Sequence, residues 1–68
     1  MKTVVYIGDR LKTLRIRRAL TQQELAEKAG ISKNALNRIE LSKAGPHMST
    51  LRKLAGALDV DPTELLGE

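Results

Sequence analysis

The chain has 68 residues, of which 41% are hydrophobic, and a formal net charge of +4. This length limits it to a single domain with a small core. It has no cysteine and one histidine, which excludes disulfides, cysteine-ligated zinc and clusters of histidine ligands, so we expect no metal or other cofactor. A single Tyr, with no Trp or Phe, excludes a stacking platform for single-stranded nucleic acid.

The charge is unevenly distributed along the chain. Residues 10–43 hold nine Lys and Arg against three acidic residues, whereas residues 54–68 hold four acidic residues and no basic one. Such a basic segment is typical of nucleic-acid-binding surfaces, but also of ordinary solvated ones. No apolar run approaches the roughly 20 residues of a membrane helix, and the N-terminus lacks a secretory-signal pattern. We therefore expect a cytoplasmic protein without membrane contact.

In chain order, the first predicted element is a β-prone stretch, residues 3–7, expected outside the helices as an arm or an edge strand. The apolar period predicts helix 1 over residues 9–19. Helix 2 is predicted to start after a capping box formed by Thr21 and Glu24 and to end at Gly30, a residue suited to the left-handed conformation.

Helix 3 is predicted to begin at a second cap, Ser32, and to run to about Leu41. Residues 42–48 contain a Gly and a Pro and are predicted to form a loop. Helix 4 is predicted to follow the cap Ser49, and a short helix 5 to follow Asp61 with Pro62 at its first position.

The turn at Gly30 is so short that helices 2 and 3 must cross at a steep angle, roughly 90–120°. Close approach at the crossing requires small or apolar residues wherever the two helices touch. The residues at these positions are Leu25, Ala26, Ala29, Gly30, Ile31, Leu36 and Ile39. We interpret this spacing as a helix-turn-helix.

Helix 3 turns its polar positions away from that packed turn. They are Lys33, Asn34, Asn37 and Arg38. Such residues can be ordinary solvated side chains, but Arg can bind O6 and N7 of guanine, and Asn can bind N6 and N7 of adenine. Each good pair contributes roughly 1–3 kcal/mol of discrimination between bases. We therefore favour a face that reads DNA bases.

Other residues are placed to contact the DNA backbone. Gln22 and Gln23 lie at the start of helix 2, where amide donors can meet phosphate oxygens at the positive end of a helix. Lys43, in the loop after helix 3, can reach a phosphate. His47 lies in the same loop, and we expect it to be a plain surface residue.

The segments IGDRL, LTQQELAEKAGISKNALNRIE and LRKLAGALDVDPTELL resemble the lambda repressor/Cro-type, or XRE, helix-turn-helix family. The resemblance covers nearly the whole chain. It implies an all-α fold, a compact five-helix lambda-repressor-like DNA-binding domain over residues 1–68, with a core at 8–66 and a short extended arm at 1–7. It also implies a homodimer bound to a palindromic operator in double-stranded DNA.

The same resemblance assigns roles to individual residues. Helix 3 would be the recognition helix, with contacts at Ser32, Lys33, Asn34, Asn37 and Arg38. Gln22 matches the phosphate-binding Gln of the family. Arg15 and Glu40 match a structural pair that joins helix 1 to helix 3.

Three features depart from the family pattern. Ser42 and Asp59 stand where Gly is usual, and Asp tolerates the left-handed region. Ile16 is apolar on a face of helix 1 expected to be exposed, so Ile16 and the arm are candidates for a dimer contact.

These observations favour a transcriptional regulator, acting as a repressor. The main alternative is an antitoxin that neutralises a toxin protein and represses its own operon. A restriction-modification controller would use the same chemistry. In either case the chain could bind a further protein, a toxin or another regulator. An enzyme has little support, because the acidic residues and the one His show no acid/base or metal spacing.

Overall fold

A computed structural model describes residues 6–41 and 45–66. Five helices follow one another in this part of the chain: α1 (Ile7–Arg17), α2 (Gln22–Ala29), α3 (Lys33–Leu41), α4 (Met48–Leu58) and α5 (Pro62–Leu66). The all-α fold class and the order of the helices are therefore confirmed. None of these helices is both long and apolar enough to cross a bilayer.

The predicted caps at both ends of α2 are confirmed. Thr21 accepts from the Glu24 amide at 3.1 Å, and the Glu24 carboxylate accepts from the Thr21 amide at 2.9 Å. The latter hydrogen bond holds the pKa of Glu24 below its ordinary value. Gly30 ends α2 in the left-handed region with φ of 74°, and Asp59 does the same after α4 with φ of 57°.

Both ends of helix 1 were predicted two residues too late. Ile7, expected in the arm, is the first residue of α1, and the helix ends at Arg17. Ala19 adopts a positive φ of 56°, which stops the helix. The amides of Ala19 and Leu20 turn back to the carbonyls of Ile16 and Arg15, so these bonds satisfy the helix end without a glycine.

The prediction that Ser49 caps helix 4 is wrong. The helix begins at Met48, and the N-cap position is His47, whose side chain makes no capping bond. The apolar period of α4 fixes the face that is buried, but not the residue at which the helix starts. The predicted edge strand at residues 3–7 falls mostly outside the described residues, as do Ser42 and Lys43.

Seven leucines fill the centre of the domain, each exposed by 2% or less: Leu11, Leu25, Leu36, Leu51, Leu54, Leu58 and Leu65. Ala26, Ala29 and Ala55 are buried among them and allow close approach between helices. α1 packs on α3 and α5, and α2 packs on α3 and α4. The core therefore holds α2 and α3 firmly while one side of α3 faces outwards.

Replacing Thr21 with alanine tests the cap of α2. Loss of an N-cap side chain costs roughly 1 kcal/mol, so we expect the free energy of unfolding in urea to fall by about this amount. The stabilisation that comes from Glu24 should also depend on pH, because the pKa of its carboxyl is lower in the folded state than in the unfolded chain. This stabilisation is present above the pKa of the unfolded chain and is lost as the pH falls through the pKa of the folded state. Thr13→Ala, at an exposed site within α1, is the control and should have a smaller effect.

Candidate nucleic-acid interface

The outward side of α3 and its cap is polar up to Arg38, and the last residue of the helix, Leu41, is apolar and exposed. Ser32, Lys33, Asn34, Asn37 and Arg38 are all exposed, and we call them the recognition face. On the opposite side of the helix Leu36 is buried and Ile39 is half-buried. The structure thus brings every predicted contact of helix 3 onto one surface. That they touch DNA bases remains a prediction.

The turn that presents this face is short and tightly bonded. The Gly30 amide donates to the Glu27 carbonyl at 3.2 Å, and the Ile31 amide to the Ala26 carbonyl at 3.0 Å. Ser32 then caps α3 by accepting from the Ala35 amide at 3.0 Å. A hydroxyl that accepts one bond keeps its own hydrogen, so Ser32 can still donate to a DNA oxygen.

A nearly buried ion pair lies beneath the recognition face. Arg15 Nε donates to Glu40 Oε2 at 2.7 Å, and their side chains are 11% and 3% exposed. Arg15 also donates from Nη2 to Glu40 Oε1 at 3.2 Å and from Nη1 to the Leu20 carbonyl at 2.8 Å. The pair thus joins α1 to α3. These are the two residues that the family resemblance predicted to form a structural pair.

Gln22 belongs to the same network. Its Nε2 atom donates to Glu40 Oε1 at 3.1 Å and to Asn37 Oδ1 at 3.2 Å. Gln23 is exposed, and its Nε2 donates to Glu27 Oε1 at 2.8 Å. The described contacts of the Gln22 side chain are therefore with α3, and its phosphate contact remains a prediction.

Part of the basic segment faces the acidic C-terminal residues. Arg10 Nε donates to the Glu64 carbonyl, and Arg18 Nη2 donates to the Asp59 carbonyl at 3.4 Å. These two residues of the basic segment stabilise the packing of the helix ends. Both acceptors are main-chain carbonyls, so these bonds do not depend on the acidic side chains of Asp59 and Glu64.

An open groove of about 330 Å³ lies beside the recognition face, between α3 and the start of α4. Arg38 lines it from α3, and His47 and Thr50 line it from the other side. Thr50 is a further candidate for a DNA contact that the sequence analysis missed. Nothing in its local sequence pattern distinguishes it, since its position depends on how α4 packs.

An exposed polar face on the second helix of a tight helical pair defines a helix-turn-helix DNA-binding domain. The helix-turn-helix family model matches residues 11–65, which is most of the chain. The chain belongs to this family, and its relatives place it among the lambda repressor/Cro-type, or XRE, members. Members of the family are DNA-binding transcription regulators and not enzymes.

Three relatives illustrate the match. The immunity repressor protein of Bacillus phage phi105 is 44% identical over 62 residues, covering 91% of this chain and 43% of the relative. The master regulator for biofilm formation SinR was crystallised in complex with DNA. It is 39% identical to this chain with a TM-score of 0.83, and the match covers 88% of this chain and 97% of SinR in that structure. The restriction-modification controller protein C.AhdI from Aeromonas hydrophila is 34% identical with a TM-score of 0.83, and the match covers 87% of this chain and 89% of C.AhdI.

The chain spans about half the length of the curated relatives it matches, with coverage of 43%, 57% and 55% of the first three.

Proposed function

We propose that this protein is a sequence-specific transcriptional repressor that binds double-stranded DNA with α3 in the major groove. The observation that carries the proposal is the recognition face, a set of five exposed donor-bearing residues on one side of a helix whose other side is buried. The functions of the relatives support it, since one is an immunity repressor and another was crystallised with DNA. Its relatives come from bacteria and a phage, so we expect such a protein to act in the cytoplasm.

The whole chain, residues 1–68, then acts as one DNA-binding domain, whose helical core begins at Ile7, the first residue of α1. In this domain the base edges are read by Lys33, Asn34, Asn37 and Arg38, and Ser32 adds a hydroxyl at the helix start. Contacts with the DNA backbone come from the first turn of α2, where the main-chain N–H groups of Gln22 and Gln23 lie at the positive end of the helix. Lys43 adds a further cation for a phosphate.

The protein binds as a homodimer to two half-sites of a palindrome, about one helical turn or roughly 34 Å apart. Exposed apolar residues support a contact with a second copy. Ile16, Leu41, Met48 and Leu66 are 59%, 76%, 55% and 41% exposed. Burying such side chains stabilises an interface, because it removes apolar area from water.

Selection of binding sites from random duplexes tests this function. We expect one enriched sequence with two-fold symmetry, which would report both dimerisation and the bases that are read. Enrichment of a sequence without symmetry would contradict the dimer. Recovery of random sequence at moderate salt would contradict specific binding altogether, because a protein that contacts only phosphates does not distinguish duplexes.

Arg38→Ala is expected to lower affinity for the selected site about five- to 150-fold and to relax the preference at one base pair, since a bidentate Arg–guanine contact contributes roughly 1–3 kcal/mol. Fluorescence anisotropy on selected and scrambled duplexes measures both effects. Lys28→Ala, an exposed cation of α2 away from the recognition face, is the matched control. An equal loss on both duplexes would show that Arg38 contacts only phosphate.

A restriction-modification controller is the second candidate, favoured by the similarity to C.AhdI over 89% of that chain. This function predicts that the selected sequence occurs upstream of genes for a restriction enzyme and its methyltransferase. None of the three relatives above is named as an antitoxin. Co-purification of the chain with the product of a neighbouring gene would identify a toxin or another protein partner.

A further inference from the structure

One apolar side chain continues the line of the recognition face. Leu41, the last residue of α3, follows Asn37 by four positions and Arg38 by three. Residues at these spacings share one side of an α-helix, because a turn takes about 3.6 residues. Leu41 is 76% exposed, and it is the one large exposed apolar residue that α3 contributes. A leucine therefore lies in line with the residues proposed to read bases.

A leucine that faces water needs no explanation, but a leucine that faces base edges has a physical consequence. Its side chain neither donates nor accepts a hydrogen bond, so a polar base atom covered by it loses water without gaining a partner. Among the four standard bases, only thymine presents an apolar group in the major groove, its C5-methyl group. Contact between two apolar groups removes both from water and is favourable. An exposed leucine on this face thus favours thymine over the other bases.

We propose that Leu41 is a specificity-determining residue that contacts the C5-methyl group of one thymine in each half-site. The inference rests on the proposed binding of α3 in the major groove. An α-helix rises about 1.5 Å per residue, so Leu41 lies about 4.5 Å along α3 from Arg38. Base pairs are stacked about 3.4 Å apart, and the thymine is therefore expected about one or two base pairs from the one that Arg38 reads.

The surroundings of Leu41 on α3 favour DNA over a second copy of the chain as its partner. Its neighbours on the same side of the helix are Asn34, Asn37 and Arg38, all of them exposed and polar. The buried core of a homodimer interface is more apolar than the rest of a protein surface, and these neighbours do not provide such a core. They do match the polar edges of bases. The homodimer contact is then left to the exposed apolar residues of the other helices.

Replacing thymine with uracil tests the contact, because it removes the C5-methyl group and leaves the hydrogen-bonding atoms of the base unchanged. Site selection with Arg38→Ala first locates the base pair that Arg38 reads. Thymines about one or two base pairs from it are then replaced in both half-sites of the selected duplex, one position at a time. We expect one of these replacements to weaken wild-type binding about fourfold per half-site, the equivalent of one buried methyl group. Fluorescence anisotropy measures the change.

Leu41→Ala completes a double-mutant cycle with this thymine. The variant should bind the thymine duplex more weakly than wild type by a similar factor, and it should no longer distinguish thymine from uracil at that position. Any effect of the missing methyl group on DNA shape would persist in the variant, so the cycle isolates the contact. Leu66→Ala makes the same change at an exposed leucine of α5 and is the matched control, with the thymine-to-uracil affinity ratio of wild type. Thermal unfolding checks that both variants are folded.

Selection of another base by wild type at these positions, or equal affinity for thymine and uracil there, would overturn the inference. So would a Leu41→Ala variant that keeps the wild-type ratio of the two affinities. If that variant also dimerised more weakly, Leu41 would belong to the contact between copies instead. Each of these results leaves the proposed function intact, because the protein would still select a sequence. Failure of the proposed function looks different: wild type itself would show no preference among duplexes.

Discussion

Glu40→Ala is expected to lower the free energy of unfolding by roughly 3–5 kcal/mol, the cost of removing one partner from a buried ion pair. The substitution leaves the Arg15 guanidinium, 11% exposed, without its carboxylate, and it removes an acceptor from Gln22. Small domains have a total stability of only about 0.05–0.15 kcal/mol per residue. A loss of this size should therefore unfold a substantial fraction of the protein at room temperature.

Urea denaturation followed by far-ultraviolet circular dichroism measures this loss. Glu27→Ala is the matched control, since Glu27 is an exposed carboxylate that accepts from Gln23 within the same helix. Its expected effect is below about 0.5 kcal/mol, as for most surface substitutions. A Glu40→Ala variant as stable as this control would show that solvent replaces the carboxylate without cost.

Replacing both charged partners distinguishes two free energies: the cost of leaving one buried charge without its partner, and the net contribution of the ion pair to stability. In Arg15→Met/Glu40→Leu no unpaired ion remains, and apolar side chains of similar volume fill the space. Such replacements are often neutral or stabilising. We expect the double variant to be more stable than Glu40→Ala.

The five helices and the tight turn could be predicted because their signals are local. The capping box at Thr21 and Glu24, Gly30 past the end of α2, and the apolar period of each helix all lie within a few residues of the feature they determine. The predicted cap Ser49 shows the limit of this reasoning. A serine before an apolar run is a strong start signal, but α4 begins at Met48, two residues before the start that a cap at Ser49 predicts.

The recognition face was accessible to sequence reasoning because the helical period alone separates exposed from buried positions. The partners of Gln22 were not, since they depend on how the side chains of α2 and α3 meet. Sequence position placed Gln22 at a helix start and so indicated a phosphate. Only the packed structure shows its amide bonded to Glu40 and Asn37.

Gly8 had no local signal at all. It lies inside α1, and there a glycine is normally unfavourable relative to alanine by about 0.5–1 kcal/mol. Glycine is needed at this position because the backbones of α1 and α3 approach each other closely. A Cβ at this position would lie 2.5 Å from the Ile39 carbonyl oxygen and 2.6 Å from that of Glu40. These are backbone atoms at the end of α3, so no side chain can move aside to make room.

Gly8→Ala is therefore expected to destabilise the protein despite the better helix propensity of alanine. Forcing an extra carbon into a packed contact costs roughly 1–3 kcal/mol, which exceeds the propensity gain. Thermal unfolding should show a lower melting temperature than that of wild type. Because α1 must shift away from the end of α3, the distance between Arg15 and Glu40 changes with it. Affinity for the selected duplex should then fall together with stability.

Gly56→Ala is the matched control, because it is also a helical glycine but a Cβ there meets nothing within 4 Å. Propensity alone then predicts a gain of about 0.5–1 kcal/mol. The two substitutions make the same chemical change and should move the melting temperature in opposite directions. If both raised it, α1 and α3 would be free to separate by the width of a methyl group. The contact at Gly8 would then not fix the position of α3 on DNA.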